Sequence, residues 1–226
     1  MAAGGYVGRL LRVDLSAGTV REDALPADDV LRKYIGCVGL GVKILCEETP
    51  KGIGPLDAAN PLIFMTGPLT GTPVPGGNNC CIVTFSGETG FTAGTAHTHG
   101  HFGPQMKYAG YDGIVVTGAA PRPVYLWVHD GKAEIRDASK IWGKDTHETE
   151  DLVKAEVGEH RASVAAIGPA GENLVGGACI ANDKHHIAAA GGVGAVMGSK
   201  KLKAVAAYGR GAVPVARPKE LLEIAA

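Results

Sequence analysis

Hydrophobic positions along the chain form short apolar runs that are separated by glycine, proline and polar turns. Short runs bounded by turn residues are typical of strands. The first two strands are predicted to form a hairpin that turns at residues 16–18. The full set of predicted strands covers residues 6–14, 19–22, 62–65, 81–85, 113–116, 124–128, 133–135, 163–167, 178–180 and 203–208.

Helices are predicted at fewer places. Asp28 is a candidate N-cap for a helix that extends to Tyr34 and ends at Gly36. Further helices are predicted over residues 41–47 and, with an acidic first turn, over residues 146–157. Together these elements predict a strand-rich α+β fold.

The chain contains an internal repeat of apolar strands that end at Gly-Pro, at residues 64–68 and 166–169. Each is followed by a strand, a histidine-bearing loop, a helix that begins near a glycine, and another apolar strand. Residues 103–118 align without a gap with residues 194–209. We therefore expect an internal duplication with pseudo-twofold symmetry, the alternative being that the two units are alike only in composition.

The duplication would place two glycine-rich loops opposite each other, at residues 95–103 and 182–194. Backbone groups of such loops can hold phosphates and cations. Five of the eight histidines lie in them: His97, His99, His101, His185 and His186. A strand-like H-x-H-x-H would present its three rings on one face, as a metal site requires, but no Glu or Cys in the segment completes a familiar ligand set. The open alternatives are a metal site, side chains that line a cofactor or substrate, and ordinary loop histidines.

Three other segments carry candidate chemistry. Residues 192–198 resemble a dinucleotide fingerprint, but no strand directly precedes them and the next acidic residue is Glu220, so an NAD(P) domain is the weaker alternative. Residues 71–81 predict a rigid Pro/Gly loop, which either contacts a ligand or forms a plain wide turn. Cys80 and Cys81 follow each other on a strand, so their side chains point to opposite faces and are expected to pack in the core.

The composition excludes several classes of protein. With 22 Lys+Arg against 23 Asp+Glu, the net charge of −1 argues against a nucleic-acid binder. Hydrophobic residues make up 45% of the chain and charged residues 20%, which excludes intrinsic disorder. An odd count of five cysteines without C-x-x-C spacing argues against a disulfide framework and against a complete iron–sulfur or zinc site. Without an apolar run of ~18 residues or a signal peptide, we expect a cytoplasmic protein with no membrane span.

Five segments, at residues 60–72, 107–116, 134–143, 166–175 and 191–200, together resemble the N-terminal domain of the tungsten-containing aldehyde:ferredoxin oxidoreductases. They occur in the order of that family. The resemblance implies a two-sheet base over residues 1–215. A bis-pterin cofactor of tungsten, or of molybdenum in occasional relatives, would lie on this base, with a magnesium ion between the pterin phosphates.

The resemblance also implies cofactor-binding residues. The backbone positions that bind magnesium fall at His97 and Ile187, and the other pterin-contacting positions are Asn78, His99, His186, Ala189 and Ala190. Relatives often carry cofactor-clamping arginines where this chain has Val38, Asn78, His186 and Ala190. Bidentate guanidinium contacts are lost there, while contacts made by the backbone survive. Either histidines partly replace the arginines, or the pterin is not held.

The activity implied by the resemblance is two-electron interconversion of aldehydes and carboxylic acids, with ferredoxin or an iron–sulfur subunit as electron partner. The family's 4Fe-4S cluster and acid/base residues lie in later helical domains. We expect those domains on a partner chain or on a missing continuation, and residues 216–226 would be the start of a helix that leads to them. The alternatives are a part of an aromatic acyl-thioester reductase of the same family, and a non-catalytic subunit for assembly or cofactor holding.

Overall fold

The structure, a computed structural model, describes residues 4–226, so residues 1–3 of the predicted domain lie outside it. Its strands form two six-stranded mixed sheets. The first contains β1 (Arg9–Asp14), β2 (Thr19–Ala24), β3 (Leu62–Thr66), β4 (Cys80–Phe85), β5 (Ala93–Thr98) and β6 (Gly113–Thr117). The second contains β7 (Val124–His129), β8 (Lys132–Asp137), β9 (Ser163–Ala166), β10 (Ile180–Asn182), β11 (His186–Ala188) and β12 (Leu202–Tyr208).

Seven helices connect or flank these strands in the described part of the chain. They are α1 (Asp28–Tyr34), α2 (Cys37–Glu48), α3 (Phe102–Tyr108), α4 (Thr146–Val157), α5 (Pro169–Glu172), α6 (Val193–Ser199) and α7 (Pro218–Ala225). The predicted α+β class is confirmed. No helix within residues 4–226 is long and apolar enough to cross a membrane.

The two sheets have the same topology, with strand orders β2-β1-β6-β3-β4-β5 and β8-β7-β12-β9-β10-β11. In both, the parallel pair joins the first strand of the half to its last, β1 to β6 and β7 to β12. All other pairs of neighbouring strands in the two sheets are antiparallel. Helices α3 and α6 occupy matching places before the last strand of each half. The predicted internal duplication is therefore present in the strand connections.

The main hydrophobic core lies between the sheets, where Phe64 and Ile82 of the first sheet share one cluster with Leu126 and Val205 of the second. Two further clusters cover the outer faces. Helices α1 and α2 pack on the first sheet, and α4 packs on the second.

Consecutive cysteines show how one strand serves two cores. Cys80 lies in the core between the sheets, and Cys81 lies in the outer core beneath α2. Side chains on a strand alternate between its faces, so the predicted packing of this pair is confirmed.

Several predicted boundaries were wrong. The N-cap of α1 is Ala27 rather than Asp28, and it makes no side-chain cap. Helix α2 begins at Cys37, four residues before its predicted start. The strand predicted over residues 178–180 is β10, which covers Ile180–Asn182 instead. The NAD(P) alternative is also wrong, because the strand before Gly192 is β11, which pairs antiparallel with β10.

Candidate functional site

Strands β5 and β11 form the facing edges of the two sheets, and each pairs with a neighbour on one side only. The two edges approach each other at Gly94 of β5 and at Gly191, which lies in the loop between β11 and α6. A Cβ atom added to Gly191 would lie 2.7 Å from the Cα of Gly94, and one added to Gly94 would lie 2.8 Å from the carbonyl oxygen of Gly191. Only glycine at both positions allows the two backbones to come this close.

The turn between β4 and β5 holds the Gly191 backbone from the other side. The Gly87 N–H donates to the Gly191 carbonyl over 3.0 Å, and the Gly191 N–H donates to a Glu88 carboxylate oxygen over 2.9 Å. These bonds fix the loop between β11 and α6 against the first sheet.

The strand registers make His97 and Ile187 equivalent positions in the two sheets. Ile114 and Val205 are matched by the sequence alignment, and they pair with Phe64 and Ala165 respectively. The residues that follow these, Met65 and Ala166, pair with Cys81 and Ala181. Cys81 then pairs with His97, and Ala181 pairs with Ile187. Both positions predicted to bind magnesium therefore occupy the same place on facing edge strands.

The equivalence continues into the turn that follows each strand. His99 matches Ala189, and Gly100 matches Ala190 by the same register. Gly100 has φ +81° and Ala190 has φ +77°, so both turns enter the left-handed region at the same point. Four of the predicted cofactor-binding residues thus form two matched pairs, His97 with Ile187 and His99 with Ala189.

Buried polar side chains tie the two loops together. The Asn182 side chain, which is 1% exposed, accepts a hydrogen bond from the Thr98 hydroxyl and donates to the His99 carbonyl oxygen over 2.9 Å. The His101 N–H donates to an Asp183 carboxylate oxygen over 2.7 Å. Because these bonds join β5 and its turn to β10, the backbone of the first loop is held in place by the second sheet.

Apart from Asn78, the predicted site residues lie on β5, on β11 and in the turns that follow these strands. His97, His99, Ile187, Ala189 and Ala190 are exposed. The His186 ring is half-buried and lies against the first loop, since a Cβ atom added to Gly100 would be 2.5 Å from its Cδ2. The structure brings together the two histidine loops that the sequence analysis predicted to face one another.

Asn78 is the one predicted residue whose side chain turns away from this region. Its Oδ1 accepts a hydrogen bond from the Gly71 N–H over 3.2 Å, within its own loop. The neighbouring Asn79 contacts the site instead, with its Nδ2 3.1 Å from His97 Nδ1. Sequence analysis did not single out Asn79 as a site residue, and the adjacent Asn-Asn pair gave no signal to separate the two.

One cysteine contacts His97 and another contacts the backbone of Asn79. The Cys81 sulfur is 3.3 Å from His97 Nδ1, and the Cys37 sulfur is 3.8 Å from the Asn79 carbonyl oxygen. The Cys81 thiol lowers the pKa of Cys37, and the Cys37 thiol together with burial raises the pKa of Cys81.

Lys107 places a buried positive charge near this thiol pair and adds to the lowering of the Cys37 pKa. Its ammonium group donates to the carbonyl oxygens of Gly5 and Gly67 over 2.5 and 2.7 Å and lies 3.5 Å from Asp112. Burial lowers the pKa of Lys107 while Asp112 opposes that shift. Lys107 therefore links the backbone at Gly5 to the backbone after β3, and its ammonium group does not face the two histidine loops.

The donor set suits a phosphate-bearing group with a cation better than it suits a metal bound by side chains. Among residues 4–226, no group of three or more His, Cys, Asp or Glu side chains could hold a metal ion. Exposed imidazoles can donate to phosphate oxygens, and strand edges without a second neighbour offer backbone carbonyls to a hard cation. Val38, at one position where relatives often carry arginine, packs against the outer core and offers no donor.

The model of the aldehyde ferredoxin oxidoreductase N-terminal domain matches residues 10–209 of this chain. The chain belongs to this family. It is 46% identical over 220 residues to the tungsten-containing aldehyde ferredoxin oxidoreductase of Pyrococcus abyssi, an alignment that covers 97% of this chain and 36% of that protein. The chain therefore spans about a third of the length of the curated relatives it matches and corresponds to the family's N-terminal domain.

Other members of the family carry different activities in their names. The WOR-like subunit of an aliphatic sulfonate oxidoreductase of Pyrococcus furiosus is 40% identical over 234 residues, covering 97% of this chain and 37% of that subunit. A solved structure, the active-site complex BamBC of benzoyl coenzyme A reductase with 1,5-dienoyl-CoA, matches with a TM-score of 0.94 and 40% identity over 98% of this chain and 34% of that one. The comparison confirms the two-sheet fold and the oxidoreductase family.

Proposed function

We propose that this chain is the pterin-binding base of a tungsten or molybdenum oxidoreductase that interconverts aldehydes and carboxylic acids. Ferredoxin or an iron–sulfur subunit would exchange the electrons. Tungsten appears in the names of several relatives at 46% identity, which supports the metal. The 4Fe-4S cluster and the helical domains would be supplied by the rest of the assembled enzyme.

One observation carries the proposal: the register equivalence of His97 and Ile187 on the facing edge strands. A cofactor built of two similar pterin halves joined through a cation needs two similar backbone positions that face each other. The duplicated topology supplies them, and Asn182 and Asp183 hold the two loops in a fixed relation.

The chain's own residues would bind and orient the cofactor. Backbone oxygens at His97 and Ile187 would bind magnesium, and the imidazoles of His99 and His186 would donate to phosphate oxygens. Backbone groups at Ala189, Ala190 and Asn78 would contact the pterins, since the Asn78 side chain bonds within its own loop. The metal centre, when bound, supplies the redox chemistry, while the protein positions it and limits its access to water.

A second candidate activity is reduction of an aromatic acyl thioester. The structural match to the benzoyl coenzyme A reductase complex favours it, with the same fold at a TM-score of 0.94. Both candidates use the same base, so a test of cofactor binding precedes any test that separates the substrates.

The test places a negative charge where the phosphates would lie. Ala189→Glu introduces a carboxylate at the exposed edge, and two like charges about 4 Å apart repel by roughly 1–4 kcal/mol in water or near a protein surface. Ala17→Glu is the matched control, because this exposed residue lies in the turn before β2, at the opposite edge of the first sheet from β5. Both variants would be produced in cells that make the cofactor, and pterin and magnesium per chain would be measured by mass spectrometry.

We expect the unchanged chain and Ala17→Glu to retain pterin and magnesium together, and Ala189→Glu to lose about tenfold or more of both. Equal pterin in the two variants would contradict the site. A chain without pterin in cells that demonstrably make it would contradict the function.

A further inference from the structure

Thr98 and Asn182 form a hydrogen-bonded polar pair in the core between the two sheets. The two residues are 2% and 1% exposed, and the Thr98 hydroxyl donates to Asn182 Oδ1. By the strand registers, the equivalent positions in the other half of the duplication are Ala188 and Ile82. Both of these are buried members of the hydrophobic cluster between the sheets. Because one half of the fold packs these positions with apolar side chains, packing alone does not require the polar pair in the other half.

The side-chain amide of Asn182 also reaches the backbone of the site. Its Nδ2 donates to the His99 carbonyl oxygen over 2.9 Å, and Ile82 at the equivalent position offers no donor. The peptide between His99 and Gly100 is trans, since no cis peptide occurs within residues 4–226. The C=O and N–H of a trans peptide point in opposite directions. With the His99 carbonyl held toward the buried Asn182, the Gly100 N–H points away from the core.

Gly100 is held closely in this orientation. A Cβ atom there would lie 2.6 Å from Asp183 Oδ2 and 2.5 Å from His186 Cδ2, and its φ is +81°, so only glycine fits. In the described part of the chain the Gly100 N–H has no hydrogen-bond acceptor, whereas the next N–H, that of His101, donates to Asp183 over 2.7 Å. A fixed N–H without an acceptor, beside the His186 ring, is available to donate to a bound group.

We propose that the Gly100 N–H is a further phosphate-binding group of the site and that Asn182 is the positioning residue that turns it outward. This inference rests on the proposed function, which supplies the phosphate. Ala190, the equivalent of Gly100 in the second loop, is among the predicted pterin-contacting positions, and the duplication extends that role to Gly100. A hydrogen bond from an N–H group to an anionic oxygen is stronger than one between neutral groups.

The test follows the backbone amide signals of the isotope-labelled whole chain by NMR while magnesium pyrophosphate is added as the probe. We expect the Gly100 and Ala190 amide signals to shift together as the probe is added. The Gly18 signal is the internal control and should not move. Gly18 also has a positive φ, of +65°, but it lies in the turn between β1 and β2, at the opposite edge of the first sheet from β5.

A double variant, Thr98→Ala with Asn182→Ile, removes the polar pair by copying the apolar pair of the other half. Replacing both partners of a buried hydrogen bond by apolar groups can be nearly neutral for stability. We therefore expect an unchanged or higher midpoint of thermal unfolding. The Gly100 shift should be lost in this variant and the Ala190 shift should remain, a result that a purely structural role of Asn182 would not produce.

The outcomes separate the inference from the proposed function. A shift of Ala190 without a shift of Gly100 in the unchanged chain would overturn the inference and leave the proposed function standing. A Gly100 shift that persists in the double variant would overturn the positioning role of Asn182. So would fast solvent exchange of the Asn182 side-chain amide protons in the unchanged chain, which needs no variant to fold. No shift of either amide would contradict the phosphate site itself, and the proposed function with it.

Discussion

The close approach of β5 and the β11–α6 loop can be tested by a single methyl group. Gly191→Ala adds a Cβ atom 2.7 Å from the Cα of Gly94 and 3.2 Å from the N of Thr95. Both are backbone atoms, so no side-chain rotation relieves the contact. Gly191 also has φ +70°, which any other residue adopts at a cost.

The two costs can be separated with a control that carries only one of them. The left-handed conformation costs an L-residue about 1–2 kcal/mol, and overpacking against fixed atoms costs about 1–3 kcal/mol more. Gly90→Ala is the control, because Gly90 has φ +74° but a Cβ atom there meets nothing within 4 Å. We therefore expect Gly90→Ala to lose about 1–2 kcal/mol and Gly191→Ala to lose about 2–5 kcal/mol of unfolding free energy.

Urea denaturation followed by circular dichroism measures both losses on the same chain. The difference between the two variants, about 1–3 kcal/mol, reports the contact between the facing edges alone. Equal losses in Gly191→Ala and Gly90→Ala would refute the close packing of these edges, and with it the fixed geometry of the candidate site.

Four further substitutions, two of them combined in a double variant, test the buried charges and the turn. Lys200 is 0% exposed, and burial lowers its pKa to about 8 from an ordinary value of 10.5. Between these two pH values the unfolded chain binds more protons than the folded chain. The free energy of unfolding should therefore rise with pH in this range, by up to about 3 kcal/mol. Lys200→Met should remove this part of the rise in urea titrations across that range, and an unchanged pH slope would contradict the assignment. Glu172→Gln should lower the free energy of unfolding by about 3–5 kcal/mol, because it leaves the buried Lys203 ammonium without its counterion. Adding Lys203→Met should restore part of this loss. A double variant no more stable than Glu172→Gln would argue against the ion pair. Ala190 has φ +77°, which strains an alanine but not a glycine. Ala190→Gly should therefore raise the midpoint of thermal unfolding and stabilise the fold by about 1 kcal/mol. A lower midpoint would contradict the strain at this position.

Most of the fold was predictable because its central strands are continuous apolar runs with turn residues at their ends. Helix α4 was predicted over its whole length, since its sequence carries clear boundary signals. In the structure, the Asp145 side chain accepts a hydrogen bond from the Glu148 N–H, and Gly158 closes the helix in the left-handed region. Such local signals need no knowledge of the rest of the molecule.

The start of α2 and the two edge strands were missed for physical reasons. Gly39 and Gly41 weaken the helical pattern of α2, yet Gly41 is needed there, because a Cβ atom would lie 2.8 Å from the Val83 side chain. Strand β5 consists only of alanine, glycine, threonine and histidine, β11 has only three residues, and both strands pair on one side only. Their pairing is decided by neighbours distant in sequence, so local propensity does not reveal them.

The candidate site was only partly accessible from the sequence. Two facing loops followed from the repeat, but the equivalence of His97 and Ile187 passes through three strand pairings in each sheet and needs the registers. The same holds for Asn79 and Cys81, which reach His97 only because β4 and β5 pair as they do.

The proposed role as a pterin-binding base is tested most directly by metal analysis of natively purified protein, from cells shown to make the cofactor, with co-purifying chains identified in the same sample. We predict tungsten or molybdenum at close to one atom per chain, magnesium with it, and an iron-rich partner or continuation of the polypeptide. Metal-free protein that purifies alone from such cells would contradict the account and leave a domain of this fold without the cofactor.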